Sequence, residues 1–404
     1  MTISENIQGV APKGSATPDR LPVGQLLAFT VAGFLAIMTE NMPAGLLPQI
    51  GDGLGVSEAM AGQTVTLYAL GSVVAAIPVI AATRSWNRRP LFLLAIAGLL
   101  IFNTLTAISA HYGLTLVARF IAGMAAGVVW GLVAGYARRL APPHLQGRAM
   151  AIVGVGQPIA LSLGVPLGAW LGGLSDWRFV FWLMSAVALL LLAWIRLGVA
   201  DFPGQAQHER LSVARVFTIP GIRPVLLVMF AWILAHNILY TYIASFLSAS
   251  DTNLRVDMIL LVFGVASVVG IWGTGVLVDR HLRGLTLLNL LAFAGAALLL
   301  AISNGSPIMV LAGVIIWGLT FGGAPTLLQT ALANSAGEHA DVGQSIFVTV
   351  FNLAVAGGGV VGGLVMDASG ATSLPWILLP LATLALVTAW QSRGHGFRTG
   401  HRGA

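Results

Sequence analysis

The sequence predicts an all-α polytopic membrane protein, with twelve transmembrane helices arranged as two pseudo-symmetric six-helix bundles. Of its 404 residues, 57% are hydrophobic and only 8% are charged, whereas a soluble protein carries roughly 25% charged residues. About twelve apolar runs follow one another, and about 20 apolar residues in a helix cross the hydrocarbon core. The regular alternation of polar and apolar residues that is typical of membrane barrel strands is absent from the sequence.

The apolar runs are numbered as spans 1 to 12. They are predicted over residues 24–49, 58–81, 90–109, 113–137, 148–172, 177–197, 224–248, 257–277, 285–303, 307–332, 342–366 and 372–391. The predicted domains are a disordered cytoplasmic tail (1–21), a first bundle (22–198), a cytoplasmic linker (199–222), a second bundle (223–391) and a cytoplasmic tail (392–404). The first 20 residues lack the features of a signal peptide, so we expect span 1 to be retained.

The basic residues predict the orientation of the chain. Of the 20 Lys and Arg residues, 17 fall in the two tails, the linker and the loops on one side of the spans. Arg178 and Arg255 fall on the other side, and Arg119 lies within span 4. Because basic loops stay in the cytoplasm, both termini are predicted to be cytoplasmic. The basic residues are spread over short loops, which argues against a nucleic-acid partner despite the net charge of +6.

The two halves resemble each other as repeats. The loop after span 2 reads TRSWNRR, and the loop after span 8 reads DRHLRG. Arg280 lies 196 residues after Arg84, and His236 lies 196 residues after Glu40. Two parallel six-helix repeats predict a substrate site between the halves, near the middle of the membrane.

Glu40 in span 1 and Arg119 in span 4 are the charged candidates for this site. A carboxylate within a bilayer is costly unless it is paired, hydrated or protonated, so the first interpretation is a proton or substrate site. The alternative for Glu40 is a structural partner that neutralises Arg119. Both residues are expected at a similar depth, where they can pair if both face the cavity, and the alternative for Arg119 is a side chain that reaches the membrane surface.

Uncharged polar residues complete the predicted site. His236 in span 7 is a candidate for proton coupling, because imidazole titrates near neutral pH, and the alternative is a group that lines the cavity. Other polar groups in the spans are candidates for lining the substrate cavity, or else for hydrogen bonds between helices. These cavity candidates are Asn41, Gln157, Asn237, Tyr240, Gln329 and Asn352.

Two sets of residues are candidates for gating. Gly164, Pro166 and Gly168 in span 5 allow close helix approach, which either seals the cavity or serves static packing. A second set of charged residues after spans 2 and 8 either forms a charge network at the cytoplasmic gate or only sets the topology. This charged set is Arg84, Asp279, Arg280 and Arg283.

The motifs resemble the major facilitator superfamily, and within it the twelve-helix drug/proton antiporter group. Gly275 to Arg283 matches a GxxxDRxxxR loop, Arg119 to Gly123 matches RxxxG, and Gly164 to Gly168 is similar to the antiporter motif of span 5. The segment TENMPAGLLPQI is similar to bacterial exporters of sugars such as arabinose, of purine nucleosides or of drugs. The resemblance implies a transporter in the bacterial inner membrane, with a coupling role for Arg119.

The expected function is therefore proton-coupled efflux of a small organic solute. A proton-coupled importer is the alternative, and a membrane enzyme or receptor is disfavoured because the spans offer no nucleophile and base set. The chain has no cysteine, no phosphate-binding loop and no metal-ligand spacing. We therefore expect a monomer that works with its substrate, protons and the lipid bilayer, without a cofactor or a metal.

Overall fold

The computed structural model describes residues 21–76, 79, 82–83, 85–142, 145–204, 213–337 and 340–397. Within these residues, eleven helices are long and apolar enough to span a membrane. The helix Glu58–Ala76 occupies the place of span 2. The prediction of an all-α, twelve-span fold is confirmed. The eleven spans are Val23–Gly45 (span 1), Arg88–Ile108 (3), Tyr112–Leu140 (4), Arg148–Leu174 (5), Trp177–Gly198 (6), Ile222–Thr241 (7), Val256–Val278 (8), Arg280–Ala301 (9), Pro307–Ala336 (10), Gly343–Ser369 (11) and Ala371–Gln391 (12).

Span 1 is interrupted where its sequence carries two prolines. The helix that begins at Val23 ends at Asn41, and the 3-10 turn Met42–Gly45 and the helix Leu47–Leu54 follow it. Pro43 and Pro48 each lie in the first turn of one of these segments, where a missing N–H breaks no helical hydrogen bond. The predicted span over 24–49 is therefore three segments, and span 7 is likewise followed by a separate helix, Ile243–Ala249.

Spans 5, 8 and 9 also depart from the prediction. Span 5 contains a π-helical stretch, Ala160–Gly164, and Pro166 starts the helix that follows it. Spans 8 and 9 are two helices that meet at a sharp kink at His281, where φ is −132° and ψ is 30°. The connection predicted over 278–284 is therefore tighter than a loop of seven residues.

Interlocked glycines join spans 2 and 4 in the first half. A Cβ added at Gly123 would overlap the carbonyl group of Tyr68, and one added at Gly71 would overlap the carbonyl oxygen of Phe120. The backbones of the two helices therefore touch directly, which is how small residues stabilise helix pairs in membranes.

The second half repeats this contact between spans 8 and 10. A Cβ at Gly322 would overlap the carbonyl oxygen of Ser267, and one at Gly270 would overlap that of Leu319. The two bundles are thus built on the same type of close helix pair.

Arginine side chains close the same end of each bundle. Arg283, at the start of span 9, donates to the carbonyl oxygens of Ala389 (2.9 Å) and Trp390 (2.8 Å) at the end of span 12. Arg89, at the start of span 3, donates to the carbonyl oxygen of Val199 (3.3 Å) just after span 6. We call this end of the molecule the basic face and the opposite end, which carries Asp176 and the neighbouring loops, the far face.

Candidate functional site between the two halves

Glu40 lies in the last turn of the span 1 helix, just before the 3-10 turn that Pro43 starts. It is buried, with 7% of its surface exposed. Its carboxylate makes no hydrogen bond or ion pair with any residue in the described part of the chain. A buried carboxylate without a donor is unstable as an anion unless a ligand, water or a proton satisfies it.

Arg119 approaches the backbone of Glu40 rather than its carboxylate. The fully buried guanidinium donates from Nε to the carbonyl oxygen of Thr64 (3.2 Å) and from Nη2 to the carbonyl oxygen of Glu40 (3.4 Å). It lies over the ring of Tyr68, 4.7 Å from the centroid, and its Nη1 has no described partner. The expected pairing thus takes the form of an electrostatic interaction between Arg119 and Glu40, without a direct ion pair between the side chains.

A polar network that the sequence analysis missed lies beside this pair. Asn103 of span 3 donates from Nδ2 to the hydroxyl of Thr39 (3.0 Å), while its Oδ1 is buried without a described partner. Thr104 donates to the hydroxyl of Ser185 in span 6 at 3.0 Å. The sequence feature that could have predicted this network is Asn103, an asparagine in a mostly apolar span. A buried amide needs hydrogen-bond partners from other helices.

His236 is held in one neutral form by Trp317 of span 10. The indole Nε1 of Trp317 lies 3.0 Å from Nδ1 of His236. Because an indole N–H can only donate, Nδ1 must be the acceptor, and the imidazole proton then sits on Nε2. A proton added at Nδ1 would break this hydrogen bond. Nε2 has no described partner, so its N–H is free to donate.

Aromatic rings surround His236. The ring of Phe321 is stacked on it with centroids 3.3 Å apart and an interplanar angle of 7°. The rings of Tyr240 and Phe263 lie 5.1 Å and 5.7 Å away. These residues and Trp317 form what we call the aromatic cluster, which comes from spans 7, 8 and 10 of the second half.

Tyr240 is where the aromatic cluster meets the first half. Its ring is 1% exposed, and its hydroxyl is buried without a described partner. Span 7 packs against the 3-10 turn Met42–Gly45 that directly follows Glu40. Tyr240 is one residue from the end of span 7, and no hydrogen bond joins it to Glu40 in the described residues. The Glu40 carboxylate and the Tyr240 hydroxyl, one from each half, therefore both lack a described partner near the contact between the turn Met42–Gly45 and span 7.

The predicted amides occupy different environments. Asn41, Asn237 and Asn352 each donate from Nδ2 to the carbonyl oxygen one helical turn earlier, at 3.1, 2.9 and 2.9 Å. This contact leaves their Oδ1 atoms available as acceptors. Gln157 is half-buried in the short helix before the π-helical stretch, and Gln329 is exposed.

The span 5 motif lies against span 1 of the same half. A Cβ at Gly164 would overlap the sulfur of Met38, and one at Gly168 would overlap the terminal methyl of Met42. Pro166 starts the helix after the π-helical stretch. Span 5 also contacts the other half, where Gly264 of span 8 packs on the backbone of Ser162, two residues before Gly164.

The charged gating candidates form no shared charge network among the described residues. Arg283 uses its donors on the carbonyl oxygens at the end of span 12, and Arg280 is exposed. Arg84 and the side chain of Asp279 lie outside the described residues. For Arg283, the structure therefore supports a clamp within the second half.

Hydrogen bonds join the two halves toward the far face, in a set of contacts that we call the far-face seal. Tyr242 donates its hydroxyl proton to the carbonyl oxygen of Gly359 (2.7 Å), and the carbonyl oxygen of Ala59 (3.3 Å) shares the same proton. Gln63 of span 2 donates to the same Gly359 oxygen at 3.2 Å. The remaining contacts of the seal are Thr66 to the carbonyl oxygen of Ala356 (3.4 Å) and Ser245 to the carboxylate of Glu58. No sequence signal marked this seal, because its partners are separated by well over a hundred residues.

A cavity of about 530 Å³ lies at the far face, between the ends of spans 1, 5, 7 and 8. Gly45 lines it and packs tightly against Ala169 and Leu260, so that an added Cβ would lie 2.9 Å from Cβ of Ala169 and 3.2 Å from Cδ1 of Leu260. This contact adds to the far-face seal between the cavity and Glu40.

The comparisons with known proteins agree with this architecture. Residues 29–359 match the family described as the Major Facilitator Superfamily. The chain belongs to the Major Facilitator Superfamily. It is 32% identical over 376 residues to the purine ribonucleoside efflux pump NepI of Escherichia coli strain K12, covering 90% of this chain and 92% of the relative. The same identity, with 93% of the relative covered, holds for NepI of Shigella dysenteriae serotype 1.

Solved structures of the superfamily share the fold at low sequence identity. The crystal structure of a D-xylose-proton symporter superposes with a TM-score of 0.77 at 16% identity, covering 93% of this chain and 99% of that one. The human organic anion transporter MFSD10 superposes with a TM-score of 0.69 at 19% identity, covering 92% and 100%. This member of the superfamily is a multi-pass membrane transporter of small molecules and not an enzyme.

Proposed function

We propose that this transporter exports a small neutral organic solute in exchange for protons, by alternating access across the bacterial inner membrane. The basic face is cytoplasmic in this proposal, as the positive-inside rule predicts, and the protein works as a monomer without nucleic acid. Purine ribonucleosides are the first substrates to test, because the curated relatives at 32% identity are named as efflux pumps for them.

The unpaired carboxylate of Glu40 carries the proposal. It is buried between the halves, has no described hydrogen-bond donor, and lies beside the fully buried Arg119. An intramembrane acid in this environment is far more stable when neutral, unless a cation or a ligand compensates its charge. Glu40 can therefore gain and lose a proton in step with the movement of the two halves.

The proposed coupling follows from the electrostatics of this pair. Glu40 takes up a proton while the far face is open, and protonation removes its interaction with the positive charge of Arg119. The halves then rearrange at a lower free-energy cost, and the proton leaves toward the basic face. A substrate that favours the deprotonated state moves in the opposite direction, because each ligand shifts the conformational equilibrium by its differential affinity.

The polarity of the cavity favours neutral solutes. The charged candidates are one acid, Glu40, and one base, Arg119. The other candidate groups are amides, a phenol and a neutral imidazole. The negative charge of Glu40 opposes the positive charge of Arg119, so the pair has little net positive charge to hold a phosphate. Sugar phosphates are therefore expected to compete poorly with nucleosides and free sugars.

The experiment is uptake of a labelled ribonucleoside into inside-out vesicles with an imposed pH gradient. Glu40→Gln, which mimics the protonated acid, should abolish accumulation against the gradient while exchange without a gradient persists, since an amide still hydrogen-bonds a neutral solute. The matched control is Asp176→Asn at the far face, where an asparagine also caps the helix and should leave accumulation unchanged.

Two results would change the proposal. Accumulation by Glu40→Gln equal to wild type would remove the proton role from this residue. Proton-driven uptake into right-side-out vesicles, with no export, would favour the importer. Free pentoses and cationic drugs, tested in the same vesicles, would identify the substrate class if nucleosides are not carried.

A further inference from the structure

The hydroxyl of Tyr240 is a buried polar group with nothing to bind. The residue is 1% exposed, and its oxygen has no described partner. Its ring is fixed by the aromatic cluster, with His236 at 5.1 Å and Trp317 at 6.2 Å between centroids. The hydroxyl therefore cannot turn away to find a partner, and leaving it unsatisfied is unfavourable.

Glu40 presents the complementary group from the other half. Its carboxylate has no partner in the described residues, and span 7, near whose end Tyr240 lies, packs against the turn Met42–Gly45 that directly follows Glu40. A carboxylate only accepts hydrogen bonds, whereas a phenol hydroxyl both donates and accepts. A ligand that satisfies both groups must present at least one donor to the carboxylate and a second polar group beside it.

We infer that Glu40 and Tyr240 together form a subsite for a vicinal diol of the transported solute. Each hydroxyl of a diol donates and accepts, so one can donate to the carboxylate while its neighbour bonds the phenol. The inference rests on the proposed export function and names the part of the substrate that this site reads.

The charges around the subsite favour a neutral ligand over an ion. Arg119 lies on one side of Glu40, where its positive charge opposes a cationic ligand, and the carboxylate opposes an anionic one. The neighbouring amides Asn41 and Asn237 retain free acceptor oxygens, which suits a ligand with several hydroxyl groups.

The test measures binding to the purified protein in lipid nanodiscs by calorimetry. The probes are a purine ribonucleoside and its 2′-deoxy analogue, with free ribose and 2-deoxyribose as a second pair. Wild type should bind each ribo compound about tenfold more tightly than its deoxy partner, which corresponds to about 1.4 kcal/mol. Tyr240→Phe removes only the hydroxyl, so it should weaken binding of the ribo compound about tenfold and leave the deoxy compound within about twofold.

The controls separate this role from general damage. Tyr112→Phe removes a hydroxyl that donates to the carbonyl oxygen of Met60 near the far face, and it should leave both affinities unchanged. Glu40→Gln keeps one acceptor oxygen and should also reduce the preference for the ribo compound. The melting temperature of each variant shows whether it is folded. If Tyr240→Phe does not fold, Glu40→Gln still tests the inference.

Each outcome has a definite meaning. If Tyr240→Phe keeps the wild-type preference for ribo compounds, the diol subsite is overturned. If wild type transports nucleosides without distinguishing ribo from deoxy, the subsite is overturned while the export function stands. A preference seen with ribose but no binding of any nucleoside would support the subsite and reject nucleosides as substrates. Binding of neither pair would overturn the inference.

Discussion

The first and second halves of this transporter carry different chemistry at corresponding positions of their first helices. Glu40 in span 1 and His236 in span 7 are 196 residues apart, and both are buried. The carboxylate of Glu40 has no described partner, whereas His236 accepts a hydrogen bond from Trp317 and is stacked on Phe321. One half therefore presents an unsatisfied acid and the other a neutral ring that is held through its Nδ1 atom.

The scaffold around these positions is the same in both halves. Interlocked glycines join spans 2 and 4 as well as spans 8 and 10, and an arginine clamps the basic face of each bundle. The difference at the centre therefore does not come from a different fold. Each buried charge costs several kcal/mol of stability. In the proposed mechanism, the first half carries Glu40, the group that changes its charge, and the second half contributes the neutral, rigid aromatic cluster.

The largest effect is expected from removing the buried cation of the first half. Arg119→Gln leaves the carbonyl oxygens of Thr64 and Glu40 without their charged donor, and each such hydrogen bond contributes about 1.5–3 kcal/mol. Both the melting temperature and pH-driven transport should fall sharply. The control is Arg255→Gln, whose ion pair with Asp257 is exposed to solvent and therefore contributes little to stability. Equal melting temperatures for the two variants would contradict the assignment of Arg119 as a buried structural cation.

The next effect tests whether the two scaffolds are equivalent. Gly123→Ala and Gly322→Ala each force a methyl group into the backbone of the neighbouring helix, and both should lose about 1–3 kcal/mol of stability. Gly135→Ala, in the same span as Gly123 and with open space around it, should change stability by less than about 0.5 kcal/mol. Chemical unfolding in detergent measures all three. A loss in one half and not in the other would show that the scaffolds are not equivalent.

A smaller effect is expected at His236. His236→Leu leaves the buried indole N–H of Trp317 without an acceptor and should cost about 1–3 kcal/mol in stability. His236→Gln can restore an acceptor and should recover part of this loss. Neither variant should change how efflux depends on the pH of either compartment, because the neutral ring does not carry the proton. A pH profile displaced in His236→Gln would instead support the proton-coupling role that the sequence suggested for this residue.

The smallest effect is expected at the far-face seal. Tyr242→Phe removes the one hydroxyl donor that the carbonyl oxygens of Gly359 and Ala59 share, with a net contribution of about 0.5–1.5 kcal/mol. The population with an open far face should rise severalfold. Introduced cysteines near this face, in a chain that has none of its own, can report the opening through their labelling rate. An unchanged labelling rate would mean that the hydroxyl does not stabilise the seal.

Composition and spacing were enough to predict the fold class and to single out Glu40 and Arg119 as charged residues within the spans. Twelve apolar runs in a chain with 8% charged residues leave few alternatives to membrane helices, because lipid cannot satisfy an exposed backbone. Depth counting along spans 1 and 4 brought Glu40 and Arg119 to the same level, and the structure places the guanidinium on the Glu40 carbonyl oxygen. The interruption of span 1 coincides with Pro43 and Pro48, which follow Glu40 in the sequence.

Only the tertiary structure decided which atoms meet. Local sequence sets helices and their depth, whereas the rotation of each helix depends on packing against helices far away in the chain. Arg283 therefore reaches the carbonyl oxygens of span 12, and His236 meets Trp317. The unsatisfied hydroxyl of Tyr240 and the seal made by Tyr242 are visible only when both halves are in place, because each depends on contacts between residues distant in sequence.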